Sequence, residues 1–424
     1  VGDDTIYALS SGAPPAAIAV MRVSGRDARA AAAVLAGALP PPRRAGVRTL
    51  RGGDGTPLDR ALVLVFPGPN SATGEDLVEL HLHGGRAVVA AVGAALAAQP
   101  KLRQARPGEF TRRALTNGRI DLHQAEGLAD LLEAETEDQR RAALAASDGG
   151  LGETLARWMR ALSDAAAIVE AAIDYDEEAD VSGGHADAWR AIVMAVRDEM
   201  VGLLAQPTVE RLRDGLMVVL AGPPNAGKSS LFNALLGRDA AIVTPIAGTT
   251  RDVIEAQVIR AGIPYRLCDT AGLTDATENV VEQIGVERAR ALSARADVIL
   301  WLGESGSAPP GAVRVAAKAD LALSRNADIS VSTHWPESID RLWEFLAATG
   351  REQLALTSEI ALREAQRGAV NDIASALTRS LHHTDPLVSA EELRVARRRL
   401  AGLVGLEATE AMLDALFGRF CLGK

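Results

Sequence analysis

The run Gly222-Pro223-Pro224-Asn225-Ala226-Gly227-Lys228-Ser229 stands between two apolar segments, Leu216 to Ala221 and Leu231 to Leu236. It fits the order strand, G-x-x-x-x-G-K-[ST], helix, in which backbone N–H groups cradle phosphates, the lysine reaches the terminal ones and the hydroxyl holds Mg2+. A strand that turns this sharply into a helix belongs to a parallel sheet, so an α/β domain is predicted from Leu216, its first helix closed by Gly237. The lysine is informative in itself. Of the 45 basic residues only Lys101, Lys228, Lys318 and Lys424 are lysines, so each marks a place where a compact ammonium is used in preference to a planar guanidinium.

Downstream, Gly248-Thr249-Thr250-Arg251-Asp252 offers a second hydroxyl for Mg2+ at Thr250, and Asp269-Thr270-Ala271-Gly272 follows the strand-like Tyr265 to Cys268. These spacings predict a GTPase, with Asp269 holding the metal through water and the Gly272 N–H sensing the terminal phosphate, so that hydrolysis releases both loops. Ser230 continues the loop into the helix, and Cys268 reads as a core residue. Lys318-Ala319-Asp320 resembles the guanine-reading N-K-x-D motif, with Ala317 where the asparagine should be; Ser332-Thr333 is the candidate for the last guanine loop. Only residues 303–312 join Val298 to Leu302 with Val313 to Ala316, short for a parallel crossover, so either its helix is missing or this sheet edge is rearranged.

Residues 1 to about 117 alternate short β-like runs (Ala17 to Val23, Leu62 to Phe66, Leu77 to His83) with turns such as Pro40-Pro41-Pro42 and Pro67-Gly68-Pro69-Asn70, the pattern of an α+β domain. From Leu122 the period is helical: Leu151, Leu155, Trp158, Leu162, Ala165, Val169 and Ile173 step by three and four. Trp189, Val193, Val196, Met200 and Leu203 repeat the stripe beyond the acidic stretch Asp174 to Glu178, read as a solvated connection. Helical period resumes after about Leu356, where Ser389 and Glu392 read as a capping box. The expected fold is therefore multi-domain, α/β and α: an N-terminal α+β domain (1–117), a discontinuous helical bundle (118–210 and 357–424) and an inserted parallel-sheet α/β domain with the phosphate loop (211–356).

Composition limits the function classes. With 55 acidic and 45 basic residues the net charge is −10, so no general basic field draws the chain onto nucleic acid and any RNA contact must be local. Arg103, Arg106, Arg112 and Arg113 read as an Arg-rich solvated face, with RNA contact as the alternative. Two cysteines exclude a disulfide framework or a four-cysteine zinc site and fit a reducing compartment. Without an apolar run of about 18 residues or a signal peptide, a soluble cytoplasmic protein with no membrane partner is expected.

Further motifs accompany these: Met21-Arg22-Val23-Ser24-Gly25, Phe66-Pro67-Gly68-Pro69-Asn70-Ser71, Thr73-Gly74-Glu75-Asp76, Arg106-Pro107-Gly108-Glu109-Phe110 and Cys421-Leu422-Gly423-Lys424. Together with the GTPase motifs they resemble, over nearly the whole chain, the MnmE (TrmE) family of potassium-activated GTPases in tRNA wobble-uridine modification. The resemblance implies a homodimer joined through N-terminal domains that bind a tetrahydrofolate in its 5,10-methylene or 5-formyl form. It also implies a partner, MnmG, which carries FAD and uses NADH, in a heterotetramer or larger complex. Together they would place an aminomethyl or carboxymethylaminomethyl group on the wobble uridine of certain tRNAs. Residue by residue, it implies that the loop Thr244, Pro245, Ile246, Ala247, Gly248, Thr249 and Thr250 lies on GTP and that Asn225, Thr244, Ile246 and Thr249 hold K+. The catalytic residues it implies are Lys228 and Glu282, the latter orienting water because Leu273 stands where other GTPases often have glutamine; a solvated helix glutamate is the plain alternative. For folate it implies Arg22, Glu79, Arg119 and Lys424, with Cys421 a nucleophile or polar neighbour of the one-carbon centre, or else buried.

The residues support part of that reading. Period two in Leu77 to His83 puts Glu79, His81 and His83 on one face and Val78, Leu80 and Leu82 on the other, giving a polar wall in which Glu79 suits the amino and ring N–H groups of a pterin. A zinc site on Glu79, His81 and His83, or a merely solvated face, are the alternatives. For the whole chain, a regulatory or assembly GTPase without one-carbon chemistry is the runner-up. A scaffold that binds nucleotide poorly is the third, raised by Ala317 and the short 303–312 connection.

Overall fold

The computed structural model describes residues 4–174, 188–223, 225–237, 254–269, 295–303, 308–320, 326–356, 358–404 and 410–424. Two compact units divide the chain: Val1–Leu132 with Ala146–Gly150 and Leu406–Lys424, and Glu133–Ala145 with Leu151–Gly405.

In the first unit β1 (Thr5–Leu9), β2 (Ile18–Ser24), β3 (Gly46–Arg51), β4 (Pro57–Phe66), β5 (Leu77–His83) and β6 (Leu102–Gln104) form one sheet in the order β3-β4-β5-β2-β1-β6. All pairs are antiparallel except β1 with β6. Strand alternation sends Met21, Val23, Val63, Val65, Val78, Leu80 and Leu82 to one side, where α1 (Ala28–Ala36) and α2 (Arg86–Ala97) close a core with Ala32, Leu35, Val92 and Leu96. The same register sets Arg22 opposite Glu79 and Glu79 opposite Leu64, so residues far apart in sequence meet on the other face. Two helices follow, α3 (Glu109–Thr116) and α4 (Leu122–Glu133).

The second unit begins at Glu133 and holds α5 (Glu137–Ser147) up to Ala145, α6 (Gly150–Asp174) from Leu151, α7 (Ala188–Leu204) and α8 (Val209–Asp214). Its sheet contains β7 (Leu216–Ala221), β8 (Ile254–Arg260), β9 (Ile263–Asp269), β10 (Val298–Trp301), β11 (Val313–Ala316) and β12 (Ile329–Ser330). The order is β12-β11-β10-β7-β9-β8, parallel except for the β8–β9 hairpin. Every residue of β7 is buried, as a strand covered on both faces requires. The helix α9 (Lys228–Leu236) and the later α10 (Pro336–Gln353) supply Leu231, Leu235, Leu342, Trp343 and Leu346 to this core. The short 303–312 connection does not rearrange the sheet edge, because β11 still pairs in parallel beside β10. The described part of that connection, 308–312, is a turn flanked by irregular chain.

Helices α6 and α7 share a second core with α11 (Glu364–His382) and α12 (Pro386–Val404). The stripe Leu151, Leu155, Trp158, Leu162, Ala165 and Val169 is buried there with Trp189, Val193, Val196, Met200, Leu203, Ile373, Leu377 and Leu400, each large side chain contributing about 1.5–3 kcal/mol. The expected capping box is absent. α12 starts at Pro386, whose fixed φ suits a first helical position, and Asp385 Oδ1 accepts the Leu387 N–H at 2.9 Å. Ser389 instead donates to the carbonyls of Ser380 and Asp385, and Glu392 pairs with Arg379.

The chain end departs from the expected boundaries. Leu406–Lys424, assigned from sequence to the bundle, belongs to the first unit, as does α4 up to Leu132. In α13 (Glu410–Gly418) and just beyond it, Leu416, Phe417 and Phe420 fill the space left by the small Ala125 and Ala129 of α4. Gly108, at φ +68°, permits this approach: a Cβ there would lie 2.5 Å from the Phe417 carbonyl oxygen. Ion pairs Arg112–Asp414 (3.0 Å) and Arg419–Asp130 (2.9 Å) add to the seat. Among the described residues no helix is long and apolar enough to cross a membrane.

Candidate functional site

The phosphate loop leaves β7 at Ala221 and enters α9 with Gly227 as N-cap at φ +97° and Asn225 at φ +61°. Left-handed residues before a helix N-terminus turn backbone N–H groups toward a common anion. At Gly222 a Cβ would lie 3.1 Å from the Leu302 backbone carbon, so the loop passes tightly beside the end of β10. Lys228 is 4% exposed, and its Nζ donates to the carbonyls of Gly222 and Pro223 at 2.9 Å each. Ser229 and Ser230 face solvent on the first turn of α9, with Ala226 half-buried behind them. Asp269 is buried at the end of β9, and register places it beside Leu220, one residue before the loop's strand ends. Burial pushes the neighbouring Cys268 thiol up to about 12, consistent with the core role read for it. Thr244, Pro245, Ile246, Ala247, Gly248, Thr249, Thr250, Thr270, Ala271, Gly272 and Glu282 lie outside the described residues, as does the acidic stretch from Tyr175.

Two later segments converge on this loop. Lys318, at φ +60° after β11, donates from Nζ to the Asn225 carbonyl at 3.3 Å. Ala317 stands 3.4 Å from the position a Cβ would take on Gly227. The Ser332 hydroxyl donates to Asp320 Oδ1 at 2.6 Å, and that hydrogen bond is the main cause of a carboxyl held below its ordinary value. The structure thus joins the Lys318-Ala319-Asp320 and Ser332-Thr333 segments that sequence had paired.

In the first unit the Arg22 guanidinium forks onto Glu79 Oε1, from Nη2 at 2.9 Å and Nε at 3.2 Å, while His81 Nε2 lies 3.2 Å from Oε2. The Glu79 side chain is only 16% exposed. Phe110 of α3 lies under the guanidinium, 5.8 Å from ring centroid to Cζ, a contribution that spacing in sequence gave no reason to expect. His83 turns outward and pairs with Asp59 (2.7 Å). Among the described residues no three His, Cys, Asp or Glu side chains are placed to hold a metal, so the zinc alternative gains no support. Arg119 is exposed beside the Gly74 turn and Lys424 sits with the chain end, so neither joins the Arg22–Glu79 pair directly.

The chain end is held on β1. The Ser10 hydroxyl donates to the Gly423 carbonyl at 2.7 Å, and Gly423, at φ +94°, approaches so closely that a Cβ would lie 2.1 Å from the Leu9 carbonyl oxygen. Cys421 is exposed. Since Leu9 pairs with Met21 and Ala8 with Arg22, the terminal residues are seated one strand from the polar cluster.

Arg113 is not part of a solvated face. Only 7% exposed, it donates to Asp4 (2.9 Å) and Glu75 (3.0 Å), while Arg103 bridges Asp4 and Glu109. The network ties the residue before β1, β6, α3 and the Thr73–Glu75 segment together. Burial raises the Glu109 carboxyl, but the Arg103 hydrogen bond, the Arg106 N–H and both arginine charges outweigh it and hold the group below its ordinary value.

This arrangement can be set beside known proteins. The model for the GTP-binding protein TrmE N-terminus matches residues 5–119, and the model for the MnmE helical domain matches residues 122–421. The chain belongs to the MnmE (TrmE) family. Among its relatives, the tRNA modification GTPase MnmE of Erythrobacter litoralis is 50% identical over 424 residues, covering 99% of this chain and 100% of that one. The tRNA modification GTPase MnmE of Rhizorhabdus wittichii is 52% identical over 427 residues, covering 99% and 97%. The G domain of the T. maritima FeoB iron transporter matches 32% of this chain and 98% of that one at 23% identity, with a TM-score of 0.24, a likeness too slight to argue from. The MnmE helical match begins at the first residue of α4 and runs through the inserted sheet to Cys421, so the family pattern takes in the chain end that the fold seats on β1.

Proposed function

We propose that this chain is a GTP hydrolase of tRNA modification that, with MnmG, uses a tetrahydrofolate one-carbon unit to build the aminomethyl or carboxymethylaminomethyl group on wobble uridine. The observation that carries the reading is the presence, in one MnmE-family chain, of a phosphate loop closed by a buried Lys228 and a half-buried Arg22–Glu79–His81 cluster. The left-handed loop and the ammonium beside it fit the phosphates of GTP; Ser229 and Thr250 are the Mg2+ hydroxyls of this reading and Asp269, at the end of β9, its water-mediated carboxylate. Mg2+ would supply neutralisation of phosphate charge. Lys228 would stabilise the charge that develops on the transferred group, with Glu282 orienting water. Asn225, Thr244, Ile246 and Thr249 are the K+ ligands of this reading.

Glu79 fits the donor edge of a pterin, Arg22, Arg119 and Lys424 its carboxylates or polar ring edge, and Cys421 the vicinity of the one-carbon group. A homodimer is part of this reading; Ile18, 60% exposed, and Val47, 52% exposed, lie on the same sheet face as Glu79 and His81 and are apolar side chains open to a second copy. FAD and NADH enter only through MnmG, and the compartment is the cytoplasm. The runner-up, a regulatory GTPase, leaves the Arg22–Glu79–His81 cluster without a task.

Mass spectrometry of wobble uridines from cells lacking the protein, with and without this chain restored, tests the reading. Restored modification is expected; unrestored modification with intact GTP turnover would favour the runner-up.

A further inference from the structure

The guanine loop lacks the asparagine whose amide would contact the base and brace the loop, since Ala317 has only a methyl group there. We propose that the adjoining aromatic pair His334–Trp335 forms a wall on which the guanine ring stacks, so that base affinity rests on π contact in place of the missing amide. This rests on the guanine-nucleotide reading of Asp320.

One residue, Ser332, ties the pair to that carboxylate. Its hydroxyl donates to Asp320 Oδ1 (2.6 Å) and accepts the His334 N–H (3.1 Å), and its carbonyl accepts the Trp335 N–H (3.1 Å). The Ser338 hydroxyl locks the same turn, donating to the carbonyls of Ser332 and Trp335 and accepting the Ser332 N–H. The backbone that carries both rings is therefore fixed relative to the carboxylate.

Folding gives little reason for these rings. Trp335 is the N-cap of α10, a place favouring a short polar side chain, and its indole makes no cap hydrogen bond. It is 47% exposed, the one aromatic among the large exposed apolar side chains of the described residues. Asp320 and His334 are exposed beside it. A flat apolar surface next to a carboxylate that reads guanine donors is suited to a nucleobase, whose hydrogen-bonding edge and π-face need different partners. Lys318 does not compete for this surface, because its ammonium is drawn to Asn225.

Calorimetry on the full chain with Mg2+ and GDP, IDP or XDP tests the proposal. The double variant His334→Ala/Trp335→Ala should bind GDP and IDP more weakly by the same factor, on the order of tenfold, because stacking is tolerant of the base. His334→Phe/Trp335→Phe should retain affinity. Asp320→Asn tests the underlying reading separately: it should shift preference from GDP toward XDP, exchanging an acceptor for a donor. Unchanged GDP affinity in the double alanine variant, with the Asp320→Asn shift intact, overturns the wall and leaves the guanine loop standing. A loss that phenylalanine does not restore assigns the effect to the α10 turn and also overturns it. If neither substitution changes binding, the guanine loop and the wall fall together.

Discussion

Eight consecutive residues, Gly222 to Ser229, carry the phosphate loop, whereas Arg22 and Glu79 are 57 residues apart and reach each other only through the β2–β5 register, over a ring supplied by α3. A contiguous loop takes its conformation from its own glycines and the helix that follows, so its chemistry survives as a local pattern. A cluster assembled across a sheet depends on every pairing that sets the register, since a slip of one residue would turn Glu79 into the core. The two regions should therefore respond differently to substitution. Changes in the loop should act on phosphate chemistry alone, and changes around the sheet should act through position as well as contact.

The largest expected effect is on the loop. Lys228→Ala should reduce GTP turnover at least roughly a hundredfold, because the proposed function sets this buried ammonium against the phosphates; steady-state phosphate release checks this, and a near-normal kcat would remove the assignment. Next, Glu79→Ala should weaken tetrahydrofolate binding by about 2 kcal/mol, roughly 30-fold, by withdrawing a half-buried carboxylate and leaving ligand donors and Arg22 unpaired. Gly423→Ala should be smaller. Its left-handed φ alone costs about 1–2 kcal/mol for a residue with a Cβ, and the clash with Leu9 adds to that, so the chain end should lift from β1. Hydrogen exchange at the tail would rise sharply while GTP turnover held.

The smallest effect is electrostatic and confined to the first unit. Glu109 and Asp4 are held below their ordinary values of 4.5 and 3.8, so their contribution to stability is complete above about pH 4.5 and is lost as pH falls through the lowered values. Arg103, raised by its hydrogen bond to Glu109, stays charged throughout that range. Urea midpoints followed by a probe in the first unit should fall below pH 4.5, and Glu109→Gln should flatten the dependence.

What could be read from sequence follows the same division. The helical stripes at Leu151 to Val169 and Trp189 to Leu203 are buried where their period puts them, because a helix repeats its contacts locally. Alternation in β5 correctly separates Glu79 and His81 from Val78, Leu80 and Leu82. The placement of Leu406–Lys424 was not legible, because its apolar residues suit any partner and the choice of α4 depends on Ala125, Ala129 and the clearance at Gly108. The Ser389 box failed to a stronger local signal, Asp385-Pro386, which begins four residues earlier. Arg113 looked like one more surface arginine because its partners Asp4 and Glu75 lie 109 and 38 residues away.

The account rests on two separate sites in one chain, and a crossed calorimetric titration tests that most directly. Wild-type chain, Lys228→Ala and Glu79→Ala would each be titrated with GDP and with 5-formyl-tetrahydrofolate in Mg2+ buffer. Lys228→Ala should lose GDP affinity and bind the folate as wild type does, and Glu79→Ala should do the reverse. Undiminished folate binding by Glu79→Ala, or loss of both ligands from either substitution, would contradict the account.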